Sequence, residues 1–299
     1  MFKEVKALKK DEPFISVIIP TYNRVKELKR AVESVLNQDY ENFDLWIIDD
    51  GSTDETSKLI DQFKSDLSKE DKNFKPVIHY KKTENQGVSA ARNVGICHSK
   101  GDWCAFLDSD DEWLKDKLVR QVKFSLDNLE VKIIHGEEIW IRRGKRVNQK
   151  KIHQKSGGRI FQKCLKLCLI SPSAVMIKRD LLEEMNGFDE DFVVCEDYDL
   201  WLKITSKYSV GYIKEPLIMK YGGHDDQLSH KFKAMDYFRV KSIHNLLNSS
   251  KLEGEDKKRA EEEIVRKAGI LLLGYEKHNN LEHFDEIKEI KMMYQQAID

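Results

Sequence analysis

The sequence predicts an α/β fold in which helices flank a mainly parallel central sheet. Short apolar runs, rich in β-branched residues, alternate with segments of helical periodicity between residues 15 and 108. Apolar strands of this kind are typical of a sheet buried on both faces, and the alternation is typical of βαβ units. Beyond residue 130 the order changes to a strand pair, further strands and helices. The parallel part of the sheet is therefore expected in the first half of the chain.

Four strands and three helices are expected in that first half. The strands are predicted at 15–20, 43–50, 76–82 and 102–108, and the helices at 24–38, 52–67 and 87–99. The first helix carries Val25, Leu28 and Val32 at helical spacing, which indicates one buried face. Ser52 and Glu55 match a capping box, which predicts that the second helix begins beside Ser52.

The second half is expected to be less regular. A strand pair is predicted at 131–147 with its turn near Arg143 and Gly144, followed by a strand at 171–180, a helix at 195–207 and a strand at 208–221. From about residue 232 the chain is charged and helix-forming, which predicts a helical C-terminal region.

Charge and composition disfavour several classes of protein. The chain of 299 residues has 51 basic and 52 acidic side chains, so no overall basic field favours nucleic acid as the main partner. The basic run at 141–151 is interpreted as a solvated hairpin tip. No apolar run approaches the length of a membrane-spanning helix, and the N-terminus lacks the apolar region of a signal peptide. Together with five scattered cysteines, which favour free thiols, these features predict a cytoplasmic protein.

Polar residues follow the predicted strands at the points where the strands end. The first strand ends in PTYNR, the second in DDGS and the fourth in DSDD, while NQG follows the third strand. Because ligands of parallel α/β sheets bind beyond the carboxyl ends of the strands, these clusters are expected to line one cleft. Each motif also has a local explanation, because Asp50-Gly51-Ser52 suits a turn with a helix cap, and Asp110 or Asp111 could cap a helix near Trp113.

A single cap leaves most of the carboxylates at 108–111 unexplained. Crowded carboxylates repel one another, and a divalent cation such as Mg²⁺ or Mn²⁺ relieves that repulsion. Such a cation commonly takes one or two carboxylates together with the phosphates of a ligand, which suits a D-x-D at a strand end. Neither usual type of Gly-rich phosphate loop is present, which disfavours nucleoside triphosphate hydrolysis and dinucleotide binding.

Five motifs in order give the chain a resemblance to the family 2 glycosyltransferases of the GT-A (nucleotide-diphospho-sugar transferase) fold. The motifs are ISVIIPTYNR, WIIDDGSTD, NQGVSAARNVGI, WCAFLDSDD and FVVCEDYDLWLK, and the similarity covers residues 15 to about 230. The resemblance implies a GT-A domain over 1–230, with a nucleotide-binding half at 14–112 and an acceptor half at 113–230. Residues 231–299 would then form a helical C-terminal extension, a candidate for dimerisation or for association with a membrane-bound assembly.

The resemblance also implies roles for individual residues. The donor would bind against Pro20, Thr21, Tyr22, Asn23, Asp50, Arg92, Asp108 and Ser109. Asp50 would accept the imide N–H of uracil or guanine, while Arg92 would either reach the diphosphate or form an ion pair. Asp108 would hold the ribose or the water shell of the metal, and Asp110 would be the direct ligand of Mn²⁺ or Mg²⁺.

On the acceptor side, the resemblance makes Asp197 the general base, with Glu196 shaping the acceptor pocket or orienting that base. An acid at a helix start, favoured by the helix dipole, is the alternative for Asp197. His224 would bind metal or phosphate from a closing loop, or would be a surface histidine in a turn. Asp199 is expected to be structural, and Ser171 and Ser173 are expected to line the acceptor side.

The resemblance, together with the carboxylates at the strand ends, therefore implies a metal-dependent inverting glycosyltransferase. Its donor would be a nucleotide-diphosphate sugar, with UDP favoured, and its acceptor a hydroxyl of a glycan or of a lipid-linked or other molecule. A nucleotidyltransferase is one alternative, although TYNRVKEL lacks the glycines of a triphosphate-binding loop. A non-catalytic nucleotide-sugar-binding or scaffold protein of the same fold is the other.

Overall fold

The structure, a computed structural model, describes residues 12–70, 74–223, 235–249, 252–280 and 282–298. The strands are β1 Ile15–Thr21, β2 Phe43–Asp49, β3 Ile78–Lys82, β4 Trp103–Phe106, β5 Glu112–Trp113, β6 Ile133–Arg142, β7 Lys145–Val147, β8 Met176–Lys178 and β9 Gly211–Gly222. The helices are α1 Val25–Leu36, α2 Thr56–Lys69, α3 Val88–His98, α4 Lys117–Asp127, α5 Phe161–Lys166, α6 Arg179–Glu184, α7 Glu196–Lys207, α8 Met235–Ser249, α9 Gly254–His278 and α10 Phe284–Ile298. Two short 3-10 turns lie at Lys151–His153 and Pro172–Ala174.

These strands form one nine-stranded sheet in the order β3-β2-β1-β4-β8-β6-β9-β5, with β7 paired to β6. The first four strands in the chain are parallel to one another, as the alternation of the first half predicts. The second half is mixed, because β8 runs antiparallel to both β4 and β6 while β6 and β9 are parallel. The fold is therefore the expected α/β sheet, parallel at one end and mixed at the other.

Apolar side chains cover both faces of the sheet. In β1, Ile18 belongs to one buried cluster, while Val17 and Ile19 belong to the cluster on the opposite face. Adjacent β4 is divided in the same way, with Phe106 on the first side and Ala105 on the second. Successive side chains of a strand point to opposite faces, so these continuous apolar runs are those of strands buried on both sides.

Helix α3 lies against β1 because one of its residues has no side chain. A Cβ atom on Gly95 would lie 2.5 Å from Cγ2 of Ile18, so a larger residue would force the helix away from the strand. Arg92 lies one turn before Gly95 on the same helix and is itself buried. The close approach of α3 therefore fixes the height of Arg92 above the sheet.

The C-terminal helices pack against the rest of the chain. Val240 and Ile243 of α8 and Ile264 of α9 share an apolar cluster with Trp201 of α7 and Phe106 of β4. The boundary expected near residue 230 falls outside the described residues. None of the helices in the described ranges is both long and apolar enough to cross a membrane.

Two predictions about helix starts are wrong. Helix α2 begins at Thr56 rather than beside Ser52, since Ser52 donates its N–H to Oδ1 of Asp49 at 2.7 Å and its hydroxyl accepts the N–H of Asn23 at 2.9 Å. Ser52 is thus held by the strand ends, and Oδ1 of Asp54 accepts the N–H of Thr56 at 3.1 Å instead. Tertiary contacts of Ser52 therefore override the local capping pattern at this position.

The helix expected near Trp113 also starts later. Glu112 and Trp113 form β5, which pairs with β9, and α4 begins only at Lys117. Asp111 therefore caps no helix. The predicted strand at 171–180 is also shorter than expected, because residues 172–174 form a 3-10 turn before β8.

The buried imidazole of His135 gives a prediction about stability. Burial is the main reason that its pKa falls from 6.5 to about 3, and its Nε2 lies 3.0 Å from the carbonyl oxygen of Ser156. Because the unfolded chain takes up this proton more readily, the stabilisation is complete above pH 6.5 and is lost as the pH falls toward 3. Each unit of pKa difference corresponds to ~1.4 kcal/mol.

We therefore expect a His135→Gln variant to lose less stability than the wild type between pH 7 and pH 4.5. The measurement is the free energy of urea unfolding across that range. A His278→Gln variant is the control, because His278 is exposed near the end of α9. Parallel pH curves for wild type and His135→Gln would contradict the prediction.

Candidate active site

The candidate site lies where β1, β2 and β4 end side by side. The N–H of Asp50 donates to the carbonyl of Thr21 at 2.9 Å, and the N–H of Leu107 donates to the carbonyl of Ile18 at 3.1 Å. These bonds continue the strand pairing past the ends of β2 and β4. The motifs that follow the strands therefore begin at one edge of the sheet, as the parallel arrangement predicts.

Asn23 joins the motifs after β1 and β2. Its backbone N–H donates to Oγ of Ser52, and its side-chain Oδ1 accepts the N–H of Thr53 at 2.7 Å. Asn23 has a φ of 51°, a left-handed conformation that asparagine tolerates better than most residues. Thr21 is buried with no hydrogen-bond partner for its hydroxyl among the described residues, while Tyr22 beside it is exposed. Pro20 is the last residue of β1 before this pair and is buried.

Asp50 ties the end of β2 to the turn before α3. Its Oδ1 accepts the N–H of Gln86 at 2.8 Å, and its Oδ2 accepts the N–H of Gly87 at 2.9 Å. Burial raises the pKa of Asp50, although these two hydrogen bonds act in the opposite direction. Each carboxylate oxygen keeps a second lone pair, and this lone pair could accept the N–H of a nucleobase in the predicted contact.

Arg92 connects the two halves of the site. Its Nη2 lies 2.7 Å from Oδ1 of Asp108, its Nη1 lies 2.6 Å from Oε1 of Glu196, and its side chain is 3% exposed. Of the two roles expected for Arg92, the structure contains the ion pair. Burial raises the pKa of Glu196 to about 7, while the neighbouring guanidinium acts in the opposite direction. The acidic motifs at 108–111 and 196–197 are thereby held next to each other.

The three aspartates after β4 each have a different partner. Asp108 pairs with Arg92, and Oδ2 of Asp110 lies 2.7 Å from Nη1 of Arg24. Asp111 is 1% exposed, and its pKa is raised well above the ordinary value, first by burial and then by the charge of Asp110. Ser109, between the first two aspartates, is also buried.

Asp111 supports the loop from beneath. Its Oδ2 accepts the hydroxyl of Ser173 at 2.6 Å, and its Oδ1 accepts the N–H of Tyr221 at 3.0 Å. The same Ser173 hydroxyl accepts the N–H of Asp108 at 3.2 Å. Ser173 therefore underlies the D-x-D loop rather than an open surface.

The donor set beside β4 suits a hard divalent cation. Asp108 and Asp110 supply carboxylate oxygens, and their side chains are 28% and 17% exposed. The described ranges contain no group of three or more His, Cys, Asp or Glu side chains that could hold a metal. Two carboxylates without a protein cage suit Mg²⁺ or Mn²⁺ when the phosphates of a ligand complete the coordination. Asp108 and Asp110 therefore fit such an ion.

Asp197 lies in the first turn of α7. Its Oδ1 accepts the N–H of Tyr198 at 2.7 Å, and its Oδ2 lies 3.3 Å from Sγ of Cys168. Cys195, just before the helix, has a φ of 62°, and this left-handed residue turns the chain into α7. Asp199 has the structural role expected of it, because it contacts Ser242 of α8 at 2.9 Å and Lys203 at 2.6 Å. His224 lies outside the described residues.

Sequence reasoning missed Lys220 of β9. Its ammonium donates to Oγ of Ser171 at 3.1 Å. Burial lowers the pKa of Lys220, but the carboxylates of Glu138, Asp111, Asp108 and Asp197 outweigh that effect and raise it. A cation is therefore present among acidic groups from both halves of the site. The only signal in the sequence was a polar residue within an apolar strand, which is too common to single out.

A cavity of about 220 Å³ opens beside Asp110. Arg24, Arg30 and Arg143 line it together with Tyr221, and the guanidinium of Arg30 stacks on the Tyr221 ring at 3.6 Å. The carboxylates of Glu27 and Asp110 also line the cavity, so its three guanidinium groups leave a lining with a net positive charge, which favours an anionic ligand.

The family to which the chain belongs is evident from residues in its first two thirds. A model of "Glycosyl transferase family 2" matches residues 16–185, more than half of the chain, and the chain belongs to this family. Its fold is the GT-A fold, which it shares with the mannosyltransferase PcManGT from Pyrobaculum calidifontis, solved in complex with GDP-Man and Mn²⁺. That similarity has a TM-score of 0.65 at 17% identity and covers 97% of this chain and 84% of the other.

Curated relatives are similar over most of this chain. An uncharacterized glycosyltransferase of Rickettsia felis is 39% identical over 209 residues, covering 68% of this chain and 32% of the relative. The UDP-Glc:alpha-D-GlcNAc-diphosphoundecaprenol beta-1,3-glucosyltransferase WfgD of Escherichia coli is 33% identical, over 75% of this chain and 83% of WfgD. The chain thus spans about a third of the length of the Rickettsia relative and most of the length of WfgD.

The Arg92 bridge gives a prediction about stability. An Arg92→Met variant would leave Asp108 and Glu196 side by side without their cation, and breaking a buried ion pair in this way destabilises a protein by about 3–5 kcal/mol. Urea unfolding at pH 8 is the measurement, and the loss should shrink at pH 5, which lies below the raised pKa of Glu196.

An Arg120→Met variant is the matched control. Arg120 pairs with Asp116 at 2.6 Å, but both side chains are more than a third exposed. Exposed pairs contribute about 0–1 kcal/mol, so this variant should unfold nearly as the wild type does. Equal losses in the two variants would contradict the bridging role of Arg92.

Proposed function

We propose that this chain is a metal-dependent inverting glycosyltransferase that transfers a sugar from a nucleotide-diphosphate donor to an acceptor hydroxyl. The observation that carries the proposal is the Arg92 bridge, which holds the D-x-D aspartate Asp108 and the acidic start of α7 together. A family 2 chain with this arrangement has a donor side and an acceptor side on one cleft. Inverting transfer requires both, because the acceptor attacks the anomeric carbon opposite the departing diphosphate.

The donor side consists of the strand ends. We assign the nucleoside to Pro20, Thr21, Tyr22, Asn23 and Asp50, and the ribose to Asp108 and Ser109. The unpartnered hydroxyl of Thr21 and the remaining lone pairs of Asp50 supply polar atoms for those contacts. Arg92 acts as an orienting cation that fixes Asp108, and the three arginines beside Asp110 favour the diphosphate electrostatically.

The acceptor side consists of the start of α7. We assign the general base to Asp197, whose Oδ2 has only a weak thiol donor as its hydrogen-bond partner in the described part of the chain. That oxygen keeps a lone pair for the proton of the acceptor hydroxyl. Glu196 has its Oε1 bonded to Arg92, so it orients the helix start rather than accepting the proton.

Asp110 would be the direct ligand of the Mn²⁺ or Mg²⁺ ion, with Asp108 next to the water shell of that ion, and the ion would supply positive charge to the leaving diphosphate as a Lewis acid. Lys220 supplies a further positive charge near Asp108 and Asp197. His224, beyond the end of β9, is proposed as an additional metal or phosphate contact.

The donor is proposed to be a UDP-sugar and the acceptor a lipid-linked or other glycan. WfgD, named for UDP-Glc and a diphosphoundecaprenol acceptor, supports both choices. PcManGT, solved with GDP-Man and Mn²⁺, is the reason to assay GDP-sugars as well. We further propose the division into 1–230 and 231–299, a cytoplasmic location peripheral to the membrane, and a role for the extension in self-association or in docking on a membrane-bound assembly.

The base assignment is tested by an Asp197→Asn variant. Loss of a general base reduces kcat by about 10²–10⁴-fold, whereas donor affinity should remain close to that of the wild type. Turnover is measured with a panel of UDP- and GDP-sugars and Mn²⁺, and donor affinity by calorimetry. An Asp189→Asn variant, altered at an acidic residue before α7, is the control. An equal loss of donor affinity in Asp197→Asn would indicate a structural role.

The metal assignment is tested by an Asp110→Ala variant and by removal of divalent cations. We expect wild-type turnover to stop on chelation and to return with Mn²⁺ or Mg²⁺. Asp110→Ala should bind Mn²⁺ in the presence of a nucleoside diphosphate at least tenfold more weakly, because a charged ligand is lost. The readout is free Mn²⁺ measured by electron paramagnetic resonance, with Asp127→Ala on the exposed end of α4 as control. Full metal-dependent turnover of Asp110→Ala would refute the assignment.

A further inference from the structure

The candidate base contacts a cysteine for which the proposed reaction has no direct use. Cys168 lies just after α5, and its Sγ is 3.3 Å from Oδ2 of Asp197 and 3.4 Å from the carbonyl oxygen of Ile170. A thiol has one proton and can donate it to one of these oxygens at a time. A carboxylate accepts a hydrogen bond more strongly than a backbone carbonyl does, so the proton is expected to point at Asp197.

The thiol stays protonated at neutral pH. Burial is the largest reason that the pKa of Cys168 lies well above its ordinary value, and the negative charge of Asp197 raises it further. Cys168 is therefore a hydrogen-bond donor over the range in which enzymes of this kind would be assayed. A thiolate at this position would instead repel Asp197.

The segment that carries Cys168 also contacts the donor side. Ser171 accepts the ammonium of Lys220, and Ser173 contacts both Asp108 and Asp111. Residues 168–173 thus touch the base at one end and the D-x-D loop at the other. These contacts fix the position of Cys168 relative to the D-x-D loop. Because the thiol contacts Asp197, it also fixes the candidate base relative to that loop.

We propose that Cys168 is a positioning residue for the general base, donating its thiol proton to Oδ2 of Asp197 so that the carboxylate faces the acceptor hydroxyl. The inference rests on the proposed function of Asp197. The N–H of Tyr198 donates to Oδ1 and the thiol donates to Oδ2, so both oxygens of the carboxylate accept a hydrogen bond.

A thiol suits this task because it is a weak donor. A strong or charged donor would stabilise the ionised carboxylate and make it a poorer base. A thiol orients the carboxylate and lowers its basicity less than such a donor would. The other titratable or charged groups facing Asp197 are Glu196 and Cys195 beside it and Lys220 on β9. None of them changes in the variants described next.

The kinetic test compares Cys168→Ala with Cys168→Ser. Without the donor, we expect Cys168→Ala to lower kcat about tenfold and to move the acid limb of its pH profile upward by about half a pH unit, with donor KM unchanged. Cys168→Ser keeps a hydroxyl donor, so it should recover most of kcat and place its acid limb below that of Cys168→Ala. A Cys164→Ala variant controls for cavity formation, because Cys164 is a nearby thiol on α5 that is more deeply buried than Cys168 and has Thr205 rather than Asp197 as its partner.

Wild-type values of kcat and of the acid limb in Cys168→Ala would overturn the inference. Equal effects in Cys164→Ala would do the same, because they would indicate general loosening of the core. Wild-type turnover in Asp197→Asn would overturn the base assignment and the Cys168 inference together. Normal dependence on Asp197 combined with an inert Cys168→Ala would overturn the Cys168 inference alone.

The contact itself has a spectroscopic readout that needs no turnover. The S–H stretching band of Cys168, assigned as the infrared band missing from Cys168→Ser, should lie below that of a thiol without a hydrogen bond. Asp197→Ala should shift this band to higher frequency and leave the Cys164 band in place. If the frequency of the Cys168 band is unchanged in Asp197→Ala, the thiol proton points at the carbonyl of Ile170, and the inference fails.

Discussion

The buried guanidinium of Arg92 is the interaction on which the site depends. A charged group in a dry interior is tolerated only when opposite charges lie against it with good geometry. Arg92 meets this condition with Asp108 at 2.7 Å and Glu196 at 2.6 Å, two residues from distant parts of the chain. Neither carboxylate can leave without exposing an unpaired buried charge. The end of β4 and the start of α7 are therefore fixed in position by one side chain.

The crowding of carboxylates after β4 is resolved by giving each one a separate partner. Arg92 and Arg24 neutralise Asp108 and Asp110, while Asp111 turns inward and accepts neutral donors from Ser173 and Tyr221. The pKa of Asp111 is accordingly raised, since burial and neighbouring charge both oppose its ionisation. Asp108 and Asp110 thus stay partly exposed at the surface of the loop, and Asp111 anchors the loop to β9.

Features encoded by local pattern were predictable, and features that depend on long-range contacts were not. The apolar strands and amphipathic helices of the first half come within a few residues of their predicted bounds because a two-sided core enforces them. The start of α2 was missed because Ser52 bonds to Asp49 and Asn23, contacts that no short window contains. Lys220 and Cys168 were missed for the same reason, since their importance comes from residues that are 29 or more positions away in the chain.

The C-terminal helices support the same site because they pack against α7. Ser242 of α8 and Lys203 both contact Asp199, two residues after the candidate base, and α8 and α9 share an apolar cluster with Trp201. The first turn of α7 is therefore held by Arg92 and Cys168 in front and by α8 behind. A carboxylate intended to take a proton from a bound hydroxyl must be held to within a fraction of an ångström, because misplacement lowers the rate steeply. Support from three separate segments of the chain meets that demand, and it makes the C-terminal helices part of the framework of the site.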